Sequence, residues 1–381
     1  MELLLGKSKE ELREFCVALG EPAFRGAQIY HALYSERKFD VAQITNLPAA
    51  LRERLAKEAR VTLPEVKQRF ASADGSVRYL FDLGGVEEKK PNAEDAESTE
   101  KNGREGAGRL QKPAAVEAVF MPSEGRQTVC ISTQAGCAVD CHFCLTAQLG
   151  LIRNLTAGEI LAQVLLPLEE HKTQLAPQTN IVLMGQGEPL LNFEPVMAAV
   201  RILLDPGGMG ISPKHVTLST SGIVPAIERL AQEKVRPKLA ISLNASNDEQ
   251  RDALMPINKK YPLSVLMEAC KNYPLRTWEH LTFEYVMLGG LNDTLEDARR
   301  VVRLLAPVKS VKVNLIPWNP GELPYRESSP ERIEEFRRIL VDRGVPAFVR
   351  YSRGRDVMAA CGQLALLQVQ SSPMTTLRSS L

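Results

Sequence analysis

Three cysteines within eight residues are the part of this sequence best suited to chemistry. GCAVDCHFC sets Cys137, Cys141 and Cys144 in a C-x3-C-x2-C spacing. A short loop of this kind can wrap three thiolates around an iron–sulfur cluster. Three protein ligands on a [4Fe-4S] cluster leave one iron open to a substrate, the logic of any open catalytic metal site. The alternatives are unrelated core cysteines and a closed zinc site, which needs a fourth ligand. His142 is a candidate, but its adjacency to Cys141 makes simultaneous ligation awkward. The chain holds seven cysteines, and an odd number in a long chain argues against a disulfide framework. Cys16 and Cys270 fall in helical patterns and read as small buried hydrophobes. Cys130 lies inside TVCIST, just before the cysteine loop. Cys361 sits in AACGQ, beside Gly362 and beyond the basic RYSRGRD stretch. A Gly-flanked thiol there has the setting of a nucleophile, although a lone cysteine can equally be a core residue.

These residues need strand ends and loops to bring them together. From Thr128 onward TVCIST, NIVLMG, HVTLST, KLAISL, LTFEYVM and VKVNLI alternate with helical patterns such as TAGEILAQVLLPLEE and LEDARRVVRLLA. Six such units imply α/β architecture: a parallel sheet curled into an incomplete (β/α)6 TIM-like barrel, with chemistry at the C-terminal strand ends. Polar and glycine residues fall at those ends. Gly187 and Glu188 follow NIVLM in GQGEP, where glycine lets backbone approach a ligand closely. Ser219 ends the next strand, Ser242, Leu243 and Asn244 the one after, and Asn319 follows NLIPW. Singly each reads as a turn or cap residue; together they outline one binding mouth.

Residues 1–65 read as a small helical accessory domain, with a Ser8 N-cap and a Gly20 stop on the first helix. Residues 66–122 hold two alternating strands, SVRYLFDL and AVEAVFMP, expected to pair as a hairpin. The charged stretch at about 87–115 between them has too little apolar surface to offset ordering and is expected to be disordered. The barrel is expected over 123–365 and a tail over 366–381. With 381 residues, 44% hydrophobic and 24% charged, the chain has material for a sizeable core. A net charge of +1 would not by itself suggest a nucleic-acid binder, though a basic face can be balanced elsewhere. No apolar run approaches a membrane span and no secretory signal is evident, so a cytoplasmic location is expected.

C-x3-C-x-φ-C after a first barrel strand, here with Phe143 before the last cysteine, resembles the signature of the radical S-adenosylmethionine (SAM) superfamily. MGQGEPLLN, LSTSG, ISLNAS, FEYVMLGGLND, NLIPWNP and RGRDVMAACGQL extend the likeness. Together with GCAVDCHFC they resemble the radical SAM adenine methyltransferases of 23S rRNA and tRNA over nearly the whole chain. The resemblance implies one [4Fe-4S] cluster on Cys137, Cys141 and Cys144. SAM is implied to be held by Gly187, Glu188, Ser219, Ser242, Leu243, Asn244 and Asn319, although the family often has His at the position of Asn244. It further implies that carbon 2 of adenine is methylated with two SAM per turnover. Cys361 first takes a methyl from one SAM, and a deoxyadenosyl radical from the second takes a hydrogen atom from that methyl. The carbon radical then joins the base. Glu117 would remove the ring proton, and Cys130 would attack Cys361 to free the product, leaving a transient disulfide. On its residues alone Glu117 reads as an exposed strand position. Single-stranded or unstacked RNA, a flavodoxin-like electron donor and a monomeric state are also implied. Arg25, Arg153, Arg350, Arg353 and Arg355 are candidates for phosphate contact. The sibling family that methylates carbon 8, a non-catalytic iron–sulfur RNA-binding protein and a small-molecule radical enzyme are the competing readings.

Overall fold

The computed structural model describes residues 1–84 and 114–364. The charged insertion, apart from its last two positions, and the tail beyond Leu364 fall outside the described residues. Near the N-terminus β1 (Glu2–Leu3) leads into α1 (Lys9–Ala18), α2 (Phe24–Tyr34) and α3 (Ala49–Glu58), and β2 (Ala59–Arg60) returns to pair with β1. Ser8 caps α1 in a reciprocal box: its hydroxyl accepts from Glu11 N at 3.2 Å while the Glu11 carboxylate accepts from Ser8 N at 2.7 Å.

Next come β3 (Glu65–Ala71), β4 (Val77–Asp82), β5 (Ala115–Ser123) and β6 (Arg126–Cys130), all antiparallel neighbours. A two-stranded ribbon, β7 (Gln134–Gly136) and β8 (Leu151–Asn154), flanks the cysteine loop. Alternation follows through α4 (Ala157–Glu170), β9 (Gln178–Leu183), α5 (Phe193–Leu204), β10 (Val216–Thr220), α6 (Val224–Gln232) and β11 (Lys238–Ser242). It continues with α7 (Asp248–Leu254), α8 (Leu263–Asn272), β12 (Leu281–Met287), α9 (Leu295–Leu305), β13 (Val311–Pro317), α10 (Pro330–Asp342) and β14 (Ala347–Val349).

One ten-stranded sheet results, in the order β14-β13-β12-β11-β10-β9-β6-β5-β4-β3. The six expected parallel strands are all present, and β14 adds a seventh, too short for its sequence to announce it. The sheet does not pause at residue 122: β5 pairs directly with β6, so the hairpin strands extend the barrel sheet. Ala115, expected within the insertion, already belongs to β5. The helical segment is likewise not walled off, because Leu12, Leu33 and Leu55 share one apolar core with Ile160, Val200 and Ile241. Among the described residues no helix is long and apolar enough to cross a membrane.

Candidate active site

The cysteine loop is shaped by its ribbon. Gly136 sits at φ +73, and a Cβ there would collide with the Gly150 carbonyl oxygen. That close crossing lets Cys137 N donate to Gly150 O at 3.0 Å and turns the following thiols toward the barrel mouth. Cys137, Cys141 and Cys144 line one wall of a cleft of about 1010 Å³, partly open to solvent, at the C-terminal strand ends. Phe143, Met255, Leu288 and Trp318 pack as an apolar hood against Cys141 and Cys144. Burial pushes the Cys137 thiol up to about 12 and the Cys141 thiol well above its ordinary range. Arg251 lies fully buried beside them, its guanidinium donating to the carbonyls of Ser221 (2.6 Å) and Leu243 (3.2 Å) and to Asn258 Oδ1 (3.0 Å). Burial lowers its pKa to about 10, while the neighbouring Cys141 works the other way. Three soft thiols, an apolar hood and a fixed cation suit an anionic iron–sulfur cluster. The His142 side chain is instead largely exposed, with Nε2 3.8 Å from Asp140.

Gly187, Glu188, Ser219, Ser242, Asn244 and Asn319 all line the same cleft, so the outlined mouth is real. Gly187 holds φ +97 with Gln134 N only 2.7 Å from where a Cβ would stand. Ser219 and Ser242 bring their hydroxyls within 3.4 Å. Two residues are largely committed to the protein itself. Glu188 accepts from Ser221 N (2.7 Å), Ser221 Oγ (2.8 Å) and Leu190 N (3.1 Å). Asn244, at φ +54, accepts from Val286 N at 2.8 Å and points its amide at the Met255 sulfur. Leu243 is corrected: its side chain is fully buried in the main core and does not line the cleft.

Cys361 faces this cleft as well as a second one of about 1820 Å³, and Cys144 also borders both. Asn319 fixes its loop, donating to Cys361 O at 3.2 Å and to Ser352 Oγ at 2.9 Å. Enclosure by the barrel raises the Cys361 thiol to about 11, with the Glu284 carboxylate adding to the effect. Cys130 lines the second cleft only, and burial followed by the nearby Cys361 pushes its thiol up strongly. All seven cysteines are free thiols, so no disulfide is present.

Glu117 departs from its exposed-strand expectation. It is 1% exposed, ion-paired to the fully buried Arg78, and lines neither cleft. Its strand neighbour Val119 pairs with Cys130, so β5 runs alongside the thiol region. Among the candidate arginines, Arg153 is held by Glu159 (2.6 Å), Arg355 by Glu327 (3.2 Å) and Arg353 by Asp74 (3.6 Å). Arg25 donates to Gln28 at 2.9 Å. Of the five, Arg350 and Arg353 border the second cleft. Sequence reading missed Arg251 and Glu284. Nothing in the local pattern marks Arg251, whereas Glu284 breaks the apolar run of β12.

Residues 131–305 match the radical SAM superfamily, and residues 3–61 match the ribosomal RNA large subunit methyltransferase N-terminal domain. A crystal structure of a radical SAM methyltransferase from Sphaerobacter thermophilus superposes with a TM-score of 0.83 at 40% identity, covering 96% of this chain and 99% of that one. The chain thus has the radical SAM fold. The probable dual-specificity RNA methyltransferase RlmN of Koribacter versatilis is 48% identical over 350 residues, 91% of this chain and 96% of that protein. The corresponding protein of an Anaeromyxobacter species (strain Fw109-5) is 44% identical over 364 residues, 93% and 88% respectively. The chain belongs to the dual-specificity RNA methyltransferase RlmN family.

Proposed function

We propose that this protein methylates carbon 2 of an adenosine in 23S rRNA and tRNA, using Cys361 as the carrier of the methyl group. The supporting observation is the placement of Cys361, a thiol that borders both the cluster cysteines' cleft and the cleft holding Cys130. When bound, the [4Fe-4S] cluster and SAM supply an electrophilic methyl group and, after one-electron reduction, a hydrogen-abstracting radical. Cys137, Cys141 and Cys144 would hold the cluster, and Gly187, Ser219, Ser242 and Asn319 would cradle SAM. Cys361 must lose its proton to accept the methyl, and its high pKa makes that a demanding step. Asn319 and Ser352 orient the loop so that the methylated sulfur faces the substrate side. Glu117 serves as acceptor for the ring proton, which requires its pairing with Arg78 to loosen when RNA binds. Cys130 then attacks the Cys361 sulfur as the bond from that sulfur to carbon breaks, and a two-electron reductant restores both thiols. A flavodoxin-like donor, a monomer and a cytoplasmic setting complete the reading.

The test is anaerobic reconstitution with SAM, a reductant and unmodified 23S rRNA, followed by digestion and mass spectrometry of methyladenosine isomers. We expect 2-methyladenosine from the native protein and none from Cys361→Ala. Finding 8-methyladenosine would keep the carrier role and overturn the regiochemistry. Finding neither, with SAM still cleaved, would overturn the substrate.

A further inference from the structure

Cys361 looks into two clefts, and the cluster and SAM account for only one. The second opens at the N-terminal ends of the parallel strands, away from Cys137 and Cys141. Its walls follow from strand register. Cys130, Val182, Thr217 and Lys238 lie side by side across β6, β9, β10 and β11. Thr282 and Lys312 are paired across β12 and β13, and two residues further along Glu284 faces Asn314. All of these side chains line the cleft. The register therefore sets cations toward the outer end of the cleft and a carboxylate–amide pair deeper, beside Cys361.

Ordinary surface lysines are solvated and mobile; these two are not. Lys238 and Lys312 are partly buried on the inner face of the barrel. Among the described residues neither makes a hydrogen bond or an ion pair. Burial lowers both pKa values, and nearby positive charges, Lys312 for Lys238 and Arg350 for Lys312, lower them further. Arg126 and Lys214 stand at the same mouth, and Arg350 reaches Asn314 Oδ1 at 3.2 Å. The acids facing these lysines are Glu279 and Glu284. Glu284 is the one carboxylate among the described lining residues. Mutually repelling cations in a concave wall focus positive potential and await an anion.

We propose that the second cleft is the nucleotide chamber. Single-stranded RNA enters from the N-terminal ends of the strands, its phosphates meeting Arg126, Lys214, Lys238, Lys312 and Arg350. The target base passes between Glu284 and Asn314 and reaches Cys361 from the side opposite the cluster. The carboxylate and amide can accept from and donate to the edge of an unstacked base. This assignment rests on the RNA methyltransferase reading and names the route and the groups it would use.

The test uses the full chain and a short RNA hairpin with an adenine in its loop, with affinity read by fluorescence anisotropy over a range of salt. The Lys238→Gln/Lys312→Gln double variant should bind about tenfold more weakly, with a salt slope reduced by about one. Lys259→Gln, an exposed cation outside the cleft, should bind as the parent does. Should the double variant fold poorly, amine acetylation of the unaltered protein gives the same answer. RNA should then protect Lys238 and Lys312 and leave Lys259 reactive. Parental affinity and slope in a folded double variant, or no protection of the two lysines, would overturn the chamber. RNA protection of both lysines without any methyladenosine formed would leave the chamber standing and sink the reaction assigned above.

Discussion

Buried acids in this protein divide by how they are satisfied. Glu188 collects three hydrogen bonds from its own chain, whereas the one hydrogen bond Glu284 receives from a side chain comes from Asn314 at 2.9 Å. Burial raises Glu284 to about 7, with Asn314, Arg350 and Lys312 only partly opposing it. Because this carboxyl is raised in the folded state, the unfolded chain gives up the proton first. Stability therefore falls as pH climbs from the ordinary carboxylate range to about 7 and is flat above that. The complete effect is worth about 3 kcal/mol. Glu284→Gln keeps the amide contact and removes the penalty. Its melting temperature should match the parent at pH 4 and exceed it at pH 8; an equal difference at both pH values would show that Glu284 does not titrate in this window.

At the scale of elements, the loop carrying Cys361 is held from two sides. Asp356 accepts from Ser72 Oγ at 2.6 Å and Ala73 N at 3.0 Å, and Asp74 accepts from Gly354 N at 3.0 Å. On the other side Leu145 N donates to Gly362 O at 2.8 Å and Thr146 Oγ1 to Leu364 O at 2.5 Å. The β3–β4 turn and the cluster loop thus clamp one catalytic segment between them. Hydrogen bonds from Ser72 and Ala73 depress the Asp356 pKa. That anchor is present above the ordinary carboxylate value and is lost as pH falls through the depressed one. Asp356→Ala should reduce turnover about threefold to tenfold, the scale of one or two such hydrogen bonds. It should leave SAM affinity near the parent value, read as kcat against KM. A proportional rise in KM with unchanged kcat would mean the clamp serves SAM binding instead.

For the whole molecule, the helical segment and the barrel share one apolar core and interlock closely. Gly6 and Gly158 approach so tightly that neither has room for a Cβ. Gly6 N donates to the Tyr34 hydroxyl at 2.9 Å, and Arg37 pairs with Glu169 on α4 at 3.0 Å. Units that bury their apolar faces against each other unfold together. Both tryptophans, Trp278 and Trp318, lie in the barrel portion. Tryptophan fluorescence and far-ultraviolet circular dichroism should therefore report one coincident thermal transition. Two separated transitions would show that the helical segment folds on its own.

By itself the sequence determined what depends on neighbours along the chain: the cysteine spacing, the caps of the helices, the six strands and the polar residues at their ends. Those features are local, set by backbone geometry and side-chain type, and all of them appear in the structure. The seventh strand did not, because three residues carry no period of their own. Tertiary packing alone decided that Leu243 turns into the core, that Glu117 is buried against Arg78, and that Arg251 lies behind the cluster loop. It also set which strand residues face the lumen together. Lys238 and Lys312 look like ordinary surface cations in KLAIS and VKVNL. Only the register of adjacent strands places them on the inner wall beneath Cys361, because that register is fixed by hydrogen bonds between segments distant in sequence.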